Sequence, residues 1–219
     1  MKFVPVPGTE VLFSIWQTRV RDYELFAQAT RRDWQRPWFP QEPTHPAVLV
    51  RKVDAEAFCA WLTTKELCEG GLPGDQHYRL PADWEWSMAA GLENTPEGAE
   101  VFPWGTDHWP PDNFANYGEI LACDNFKYTS PVGSFPPNQA GLFDLGGNVE
   151  EWCGDRHSHD LARGLSWDFP ERLQPDEVRF GIITPMLDAL APWSQTYRTG
   201  TRADTIGFRA VLASKAASL

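Results

Sequence analysis

Four oxygen-bearing side chains, Asp144, Asn148, Glu150 and Glu151, crowd into residues 141–155, which read GLFDLGGNVEEWCGD. Carboxylates and an amide, with no imidazole or thiolate among them, are the ligand types that calcium takes. Gly146 and Gly147 beside them can adopt left-handed backbone angles, so the chain can fold back and aim several carbonyl oxygens at one point. A cation-holding loop is one reading of this stretch. A tight turn with solvated acids is the other, and no EF-hand spacing decides between them.

Other reactive residues are sparse. Cys59, Cys68, Cys123 and Cys153 form no CxxC pair, which argues against zinc or a thioredoxin-like motif and for free thiols. Cys59 shares a helical face with Phe58 and Leu62 and reads as a buried, inert thiol; Cys153 adjoins the acidic loop and is kept as a candidate. Among five histidines the one close pair is His157 and His159, which would share a face on a strand and be solvated in a loop. Ser166 lies in RGLSW without a GxSxG elbow and reads as a turn hydroxyl. No Walker-type or GxGxxG phosphate loop is present. The residues offer a binding surface more readily than a reaction.

A chain of 219 residues without an abrupt composition shift is expected to be one domain, residues 1–219. Eleven Trp and 13 Phe with 19 Pro and 17 Gly describe a loop-rich fold pinned by aromatics. A net charge of −11 argues against nucleic acid and anionic membrane as partners. The N-terminal MKFVPVPGTEV has no apolar run for a signal peptide or a membrane helix, so the chain as it stands reads as cytoplasmic, although a removed leader would leave no trace and a surface or secreted location stays open.

Two or three helices are expected. The first covers residues 19–30, with Thr18 as N-cap and Val20, Tyr23, Phe26 and Ala27 inward. The second starts at Asp54 as N-cap, presents Ala57, Phe58, Trp61 and Leu62 to a core, and stops at Gly70 and Gly71. The third begins near residues 81–83, packs Trp84 and Met88 inward and ends at Gly91. VLFSI and GFRAVL read as strands, and residues 38–46 as an extended connector. Periodicity alone implies α+β with much irregular structure.

Several dispersed motifs occur in fixed order: YRLPADWEWSMAAG, FPWGT, NFANY, PVGSFPPNQAGLFDLGGNVEEW, RGLSW and IGFRAVL. Together with residues 11–30 and 45–66 they resemble the formylglycine-generating enzyme and sulfatase-modifying-factor superfamily over nearly the whole chain. The resemblance implies a C-type-lectin-like fold of short antiparallel strands, two or three helices and long structured loops.

It also implies two structural calcium sites. One matches Asp144, Gly147, Val149 and Glu151, through two side chains and two carbonyls. Glu150 stands where the family motif has Trp, and is expected to present a further acid near the ion. The second matches Asn116, Tyr117, Asp124 and Phe126. The family's oxidases hold copper on a cysteine pair after RGGSW, whereas RGLSWDFPERLQPDEVRFG contains no cysteine, which argues against copper because Cu(I) needs soft thiolates. The resemblance extends to variable proteins of diversity-generating retroelements, which concentrate changing residues in the C-terminal part. On that basis Arg163, Trp167, Gly207, Phe208 and Arg209 are scaffold. Asp168, Phe169, Trp193, Gln195, Tyr197, Thr199, Thr201, Arg202 and Asp204 are the candidate contacts for a protein or glycan ligand, while Phe180, Leu187, Leu190 and Trp193 itself are available for a small satellite core. The expected function is a non-catalytic, calcium-stabilised binding module. The alternative is an oxygen-dependent oxidase acting on a peptide thiol, with Cys153 or a histidine at an atypical metal site.

Overall fold

A computed structural model describes residues 1–92, 111–118, 123–155, 159–169 and 194–214. Among these described residues are two small sheets and three helices. The first sheet joins β1 (Phe3–Pro5), β2 (Leu12–Ser14), β3 (Gln76–Arg79) and β8 (Val211–Ser214) in the order β1-β2-β8-β3, all antiparallel. The second joins β4 (Glu150–Trp152), β5 (Asp160–Arg163), β6 (Ser194–Tyr197) and β7 (Ile206–Gly207) in the order β6-β5-β4-β7. Its β4–β7 pair is parallel. The N-terminal β2 therefore pairs with the late strand β8 inside the first sheet, where Leu12 faces Leu212 and Phe13 faces Val211. VLFSI and GFRAVL thus do contribute strands, the latter to both sheets.

The first helix, α1 (Val20–Thr30), buries Val20, Tyr23, Phe26 and Ala27 as its 3.6-residue spacing requires. Its N-cap is Arg19, not Thr18. Thr18 is still in extended chain, donating its N–H to Phe208 and accepting from Ala47, both at 2.8 Å. Asp22 then serves the helix start, accepting from the Arg19 N–H at 3.3 Å and from its guanidinium at 2.7 Å. The second helix, α2 (Lys52–Cys68), is capped by Arg51 and begins before Asp54, whose carboxylate is instead claimed by the arginines around it. The third helix, α3 (Asp83–Ala90), ends in left-handed Gly91 (φ 78°), as its glycine signals. On α3 the inward tryptophan is Trp86, fully buried; Trp84 is 54% exposed, because residues two apart on a helix point to nearly opposite sides.

One core layer lies between α1, α2 and the sheets. Phe58 stands at its centre, 5.9 Å from Tyr23, 5.7 Å from Phe26 and 5.3 Å from Phe208 between ring centroids. Trp152 closes it and donates its indole N–H to the Val50 carbonyl at 2.8 Å. Among the described residues no helix is long and apolar enough to cross a membrane.

Candidate functional site

The acidic loop is not the solvated turn that its composition allows. Asp144, Asn148, Glu150 and Glu151 are all buried. Its left-handed positions are Gly141 (φ 78°), Asp144 (φ 58°) and Asn148 (φ 69°), and not Gly146 or Gly147. Gly147 is needed for space: a Cβ there would meet the Asn116 carbonyl oxygen at 2.9 Å and the Ala115 Cβ at 3.0 Å.

Strand alternation in β4 then sends the two glutamates to opposite sides. Glu151 is held by Arg209, with Nε at 2.6 Å from one oxygen and the terminal nitrogen at 2.6 Å from the other, and the Trp86 indole adds a 3.1 Å bond. Glu150 accepts instead from the Tyr197 hydroxyl at 2.5 Å, which corrects the expectation that it faces an ion beside Glu151. Asn148 joins two loops: its Oδ1 accepts from the Ser130 N–H at 3.0 Å and its own N–H donates to the Asn116 carbonyl at 3.0 Å. It is a cross-brace between them.

The first calcium set does converge, with one change of atoms. The carbonyls of Asp144, Gly147 and Val149 and Oε1 of Glu151 point at a common centre, and the Asp144 carboxylate turns aside to accept from the Gly133 N–H at 2.7 Å. Burial pushes that carboxyl up to about 6, against the opposing pull of the Gly133 amide and Arg209. The centre, however, is taken by the amide nitrogen of Gln17, at 3.1, 3.2, 2.9 and 3.0 Å from the four oxygens. Oxygens of calcium's preferred type are present, but the space and the carboxylate's charge are already claimed, so this cage does not fit a cation. Gln17 escaped the sequence reading because a lone Gln between Trp16 and Thr18 has no spacing signal.

The second set fits better. Both Asp124 oxygens are ordered by backbone, accepting from Tyr117 N–H at 2.9 Å and Phe126 N–H at 2.7 Å, which gathers Asn116, Tyr117, Asp124 and Phe126. Asn116 is fully buried, and its Oδ1 takes no donor among the described residues. A buried acceptor without a donor costs about 1–3 kcal/mol, and a hard cation is one group that would satisfy it. With calcium bound, Asn116, Asp124 and the carbonyls of Tyr117 and Phe126 would hold it as a loop clip. Among the described residues no three His, Cys, Asp or Glu side chains cluster as a metal site of their own.

The described candidate contacts each have their own partners. Asp168 accepts from Ser166 at 2.6 Å, and the Phe169 carbonyl accepts from Gly118 at 2.7 Å, beside the Tyr117 cluster. Tyr197 packs its ring edge-on to Trp152 at 5.5 Å and its hydroxyl reaches Gln195 at 2.9 Å as well as Glu150. Thr199 is exposed in the turn after β6, where the Thr201 hydroxyl returns to the Arg198 carbonyl at 2.7 Å. Arg202 leans on Asp54 at 3.9 Å. Asp204 accepts from the indole of Trp38 at 2.9 Å. Trp193, like Phe180, Leu187, Leu190 and His157, lies outside the described residues.

Trp38 is the surface residue that the connector reading passed over. Its indole is 73% exposed yet fixed, edge-on to Tyr128 at 4.9 Å and to Phe39 at 5.6 Å. A tryptophan in a Pro-rich, polar stretch was the available signal.

Thiol chemistry finds little support. Cys59, Cys123 and Cys153 are buried, while Cys68 is exposed at the end of α2. Burial pushes the Cys153 thiol well up, against the pull of Arg163, and the Cys123 thiol up to about 11. A buried thiol held protonated is a poor ligand and a poor nucleophile.

The model of the sulfatase-modifying factor enzyme 1-like domain matches residues 6–214. The chain is 34% identical over 135 residues to the formylglycine-generating enzyme of Bos taurus, covering 56% of this chain and 32% of that protein. It is 34% identical over 154 residues to the inactive C-alpha-formylglycine-generating enzyme 2 of Bos taurus, covering 63% and 45%. The chain thus spans between about a third and a half of these relatives. PvdO from Pseudomonas aeruginosa shares the fold at TM-score 0.68 and 22% identity, over 97% of this chain and 90% of that one. Variable protein 1 of Treponema denticola shares it at TM-score 0.59 and 18% identity, over 96% and 91%.

Proposed function

Because the chain belongs to the sulfatase-modifying factor enzyme 1-like domain family, we propose that it uses this scaffold as a non-catalytic binding module, taking a protein or glycan ligand on a surface that joins Trp38 to the C-terminal loop. The observation that carries the reading is the exposed indole of Trp38 pinned by Asp204. A large aromatic face already fixed in water loses little freedom on binding, and aromatic residues dominate protein hot spots and carry amphipathic contacts. Thr199, Thr201 and Asp204 supply polar groups on the adjoining loop.

The reading as non-catalytic rests on ligand chemistry. The soft thiolate pair that copper needs has no counterpart in RGLSWDFPERLQPDEVRFG, and the Cys153 thiol of the oxidase alternative is buried and held protonated. Two relatives at 34% identity carry the word inactive in their names, which is consistent with a family that tolerates loss of chemistry. Calcium enters this proposal as a structural clip at Asn116 and Asp124. A retroelement variable protein is the narrower form of the reading. It predicts a reverse transcriptase gene and a near-repeat of the 3′ coding region nearby, and absence of both would remove it.

The test is elemental mass spectrometry on protein purified without chelator, followed by screening against glycan and peptide arrays. Binding that Trp38→Ala abolishes, with neither copper nor iron bound, supports the module. Stoichiometric copper or iron with oxygen uptake on thiol peptides would overturn it.

A further inference from the structure

We propose that the side-chain amide of Gln17 is the resident occupant of the four-oxygen cage, so that the loop of Asp144, Gly147, Val149 and Glu151 is locked without a metal ion. Gln17 is fully buried between β2 and α1, and its amide nitrogen meets residues 127 to 134 positions away in sequence. All four neighbours are acceptors. Turning the amide over would set its own oxygen against four others, so the nitrogen end faces the cage, its two N–H groups shared among the four acceptors and its Oε1 without a donor among the described residues.

Distance and charge both favour the amide. Separations of 2.9–3.2 Å are those of N–H···O bonds, whereas calcium–oxygen contacts are about 2.3–2.6 Å. To hold calcium, every oxygen would have to close by roughly 0.5 Å on a point that the nitrogen fills. The ligating carboxylate is also spoken for: Glu151 and Arg209 are at most 1% exposed and share two 2.6 Å bonds. A dication would therefore lie beside a guanidinium that already neutralises its carboxylate ligand. The lock staples the N-terminal chain to the loop, and the same Arg209 reaches the Ser14 carbonyl at 3.2 Å and the Phe143 carbonyl at 2.8 Å from the other side.

The first experiment is a calcium titration of the ¹⁵N-labelled full chain to millimolar concentration, followed by NMR. The proposal expects the Gln17 side-chain NH₂ pair to exchange slowly and to stay unshifted, along with the Gly147 and Val149 amides. Calcium-dependent shifts of these three would overturn it. Shifts confined to residues 116–117 and 124–126 uphold it together with the calcium clip. No shift anywhere upholds it and removes the clip, so the two ideas fail separately. A second experiment compares Gln17→Glu with the native residue, both in an Asp124→Asn background. The carboxylate adds negative charge to a cage of oxygens, and calcium at about 100 times its Kd should raise the thermal midpoint of Gln17→Glu by roughly 5–10 °C. An equal rise with Gln17 retained would overturn the proposal, and if Gln17→Glu does not fold, the titration of the native chain decides.

Discussion

The indole N–H of Trp38 donates to the carboxylate of Asp204 at 2.9 Å across 166 residues of sequence. The bond lies at the surface, so it orders an exposed side chain more than it stabilises the fold. Trp38→Ala should change unfolding free energy by no more than about 1 kcal/mol, since exposed substitutions seldom do more. Ligand affinity should fall at least tenfold, roughly the 1.4 kcal/mol expected of an aromatic anchor. Parallel urea unfolding and binding measurements check this. Equal loss of both would mean that Trp38 is only structural.

Glu151 and Arg209 form the most deeply buried ion pair described, with side chains 1% and 0% exposed. Removing one partner strands the other charge in the core. Glu151→Gln or Arg209→Met should each cost about 3–5 kcal/mol in urea unfolding. The double variant Glu151→Gln, Arg209→Met should cost less than the sum, because neither charge is then stranded. Strict additivity would show that the pair is not coupled.

Gly147 is required by its surroundings and not by its backbone angle. A methyl group there would press on the Asn116 carbonyl and the Ala115 Cβ at 2.9 and 3.0 Å, both on the neighbouring loop. Gly147→Ala should destabilise by about 1–3 kcal/mol through this overpacking. Gly141→Ala has open space but a φ of 78°, so its cost should come from backbone strain alone. Thermal melts of both variants separate the two mechanisms.

These same residues mark where sequence reading succeeds and where it stops. Val20, Tyr23, Phe26 and Ala27 repeat at helical spacing, and all four are buried, since periodicity reports directly which face meets the core. The start of that helix moved from Thr18 to Arg19 because strand-like pairing to Phe208 and Ala47 outcompetes a local cap. Trp84 and Trp86 are chemically alike, and only the packing of α3 on β5 and the N-terminal strands decides which is buried. The acidic loop was legible as a place where oxygens converge. What fills it was not, because Gln17 arrives from more than 120 residues away. Glu150 was read as a loop acid beside Glu151, whereas the β4 pairing turns it to Tyr197.

At the second loop, Asn116 Oδ1 and the Asp124 carboxylate are the proposed side-chain ligands of calcium. Protein purified without chelator should carry one calcium per chain, and Asp124→Asn should carry none. Removing the ion should lower the thermal midpoint, since a clip across two loops offsets the entropy of ordering them. Elemental analysis of both proteins checks the stoichiometry, and native protein without calcium would end the idea of a clip.

Asp54 provides the pH dependence. Burial alone would raise its carboxyl, but the hydrogen bond and charge of Arg51 and the charge of Arg32 outweigh burial and hold it below the ordinary value of 3.8. The Arg51 guanidinium lies at 2.7 and 3.1 Å, and Arg32 bonds the same carboxylate. Between the folded value and 3.8 the unfolded chain binds the extra proton, so stability rises with pH there. The contribution is complete above this window and is lost as pH falls through it. Asp54→Asn should therefore cost about 1–3 kcal/mol at pH 7, the scale of charge-assisted hydrogen bonds, and flatten the acid limb of stability below about pH 4. Urea midpoints of both proteins from neutral to acid pH measure it. Parallel curves would show that some other carboxylate governs the acid limb.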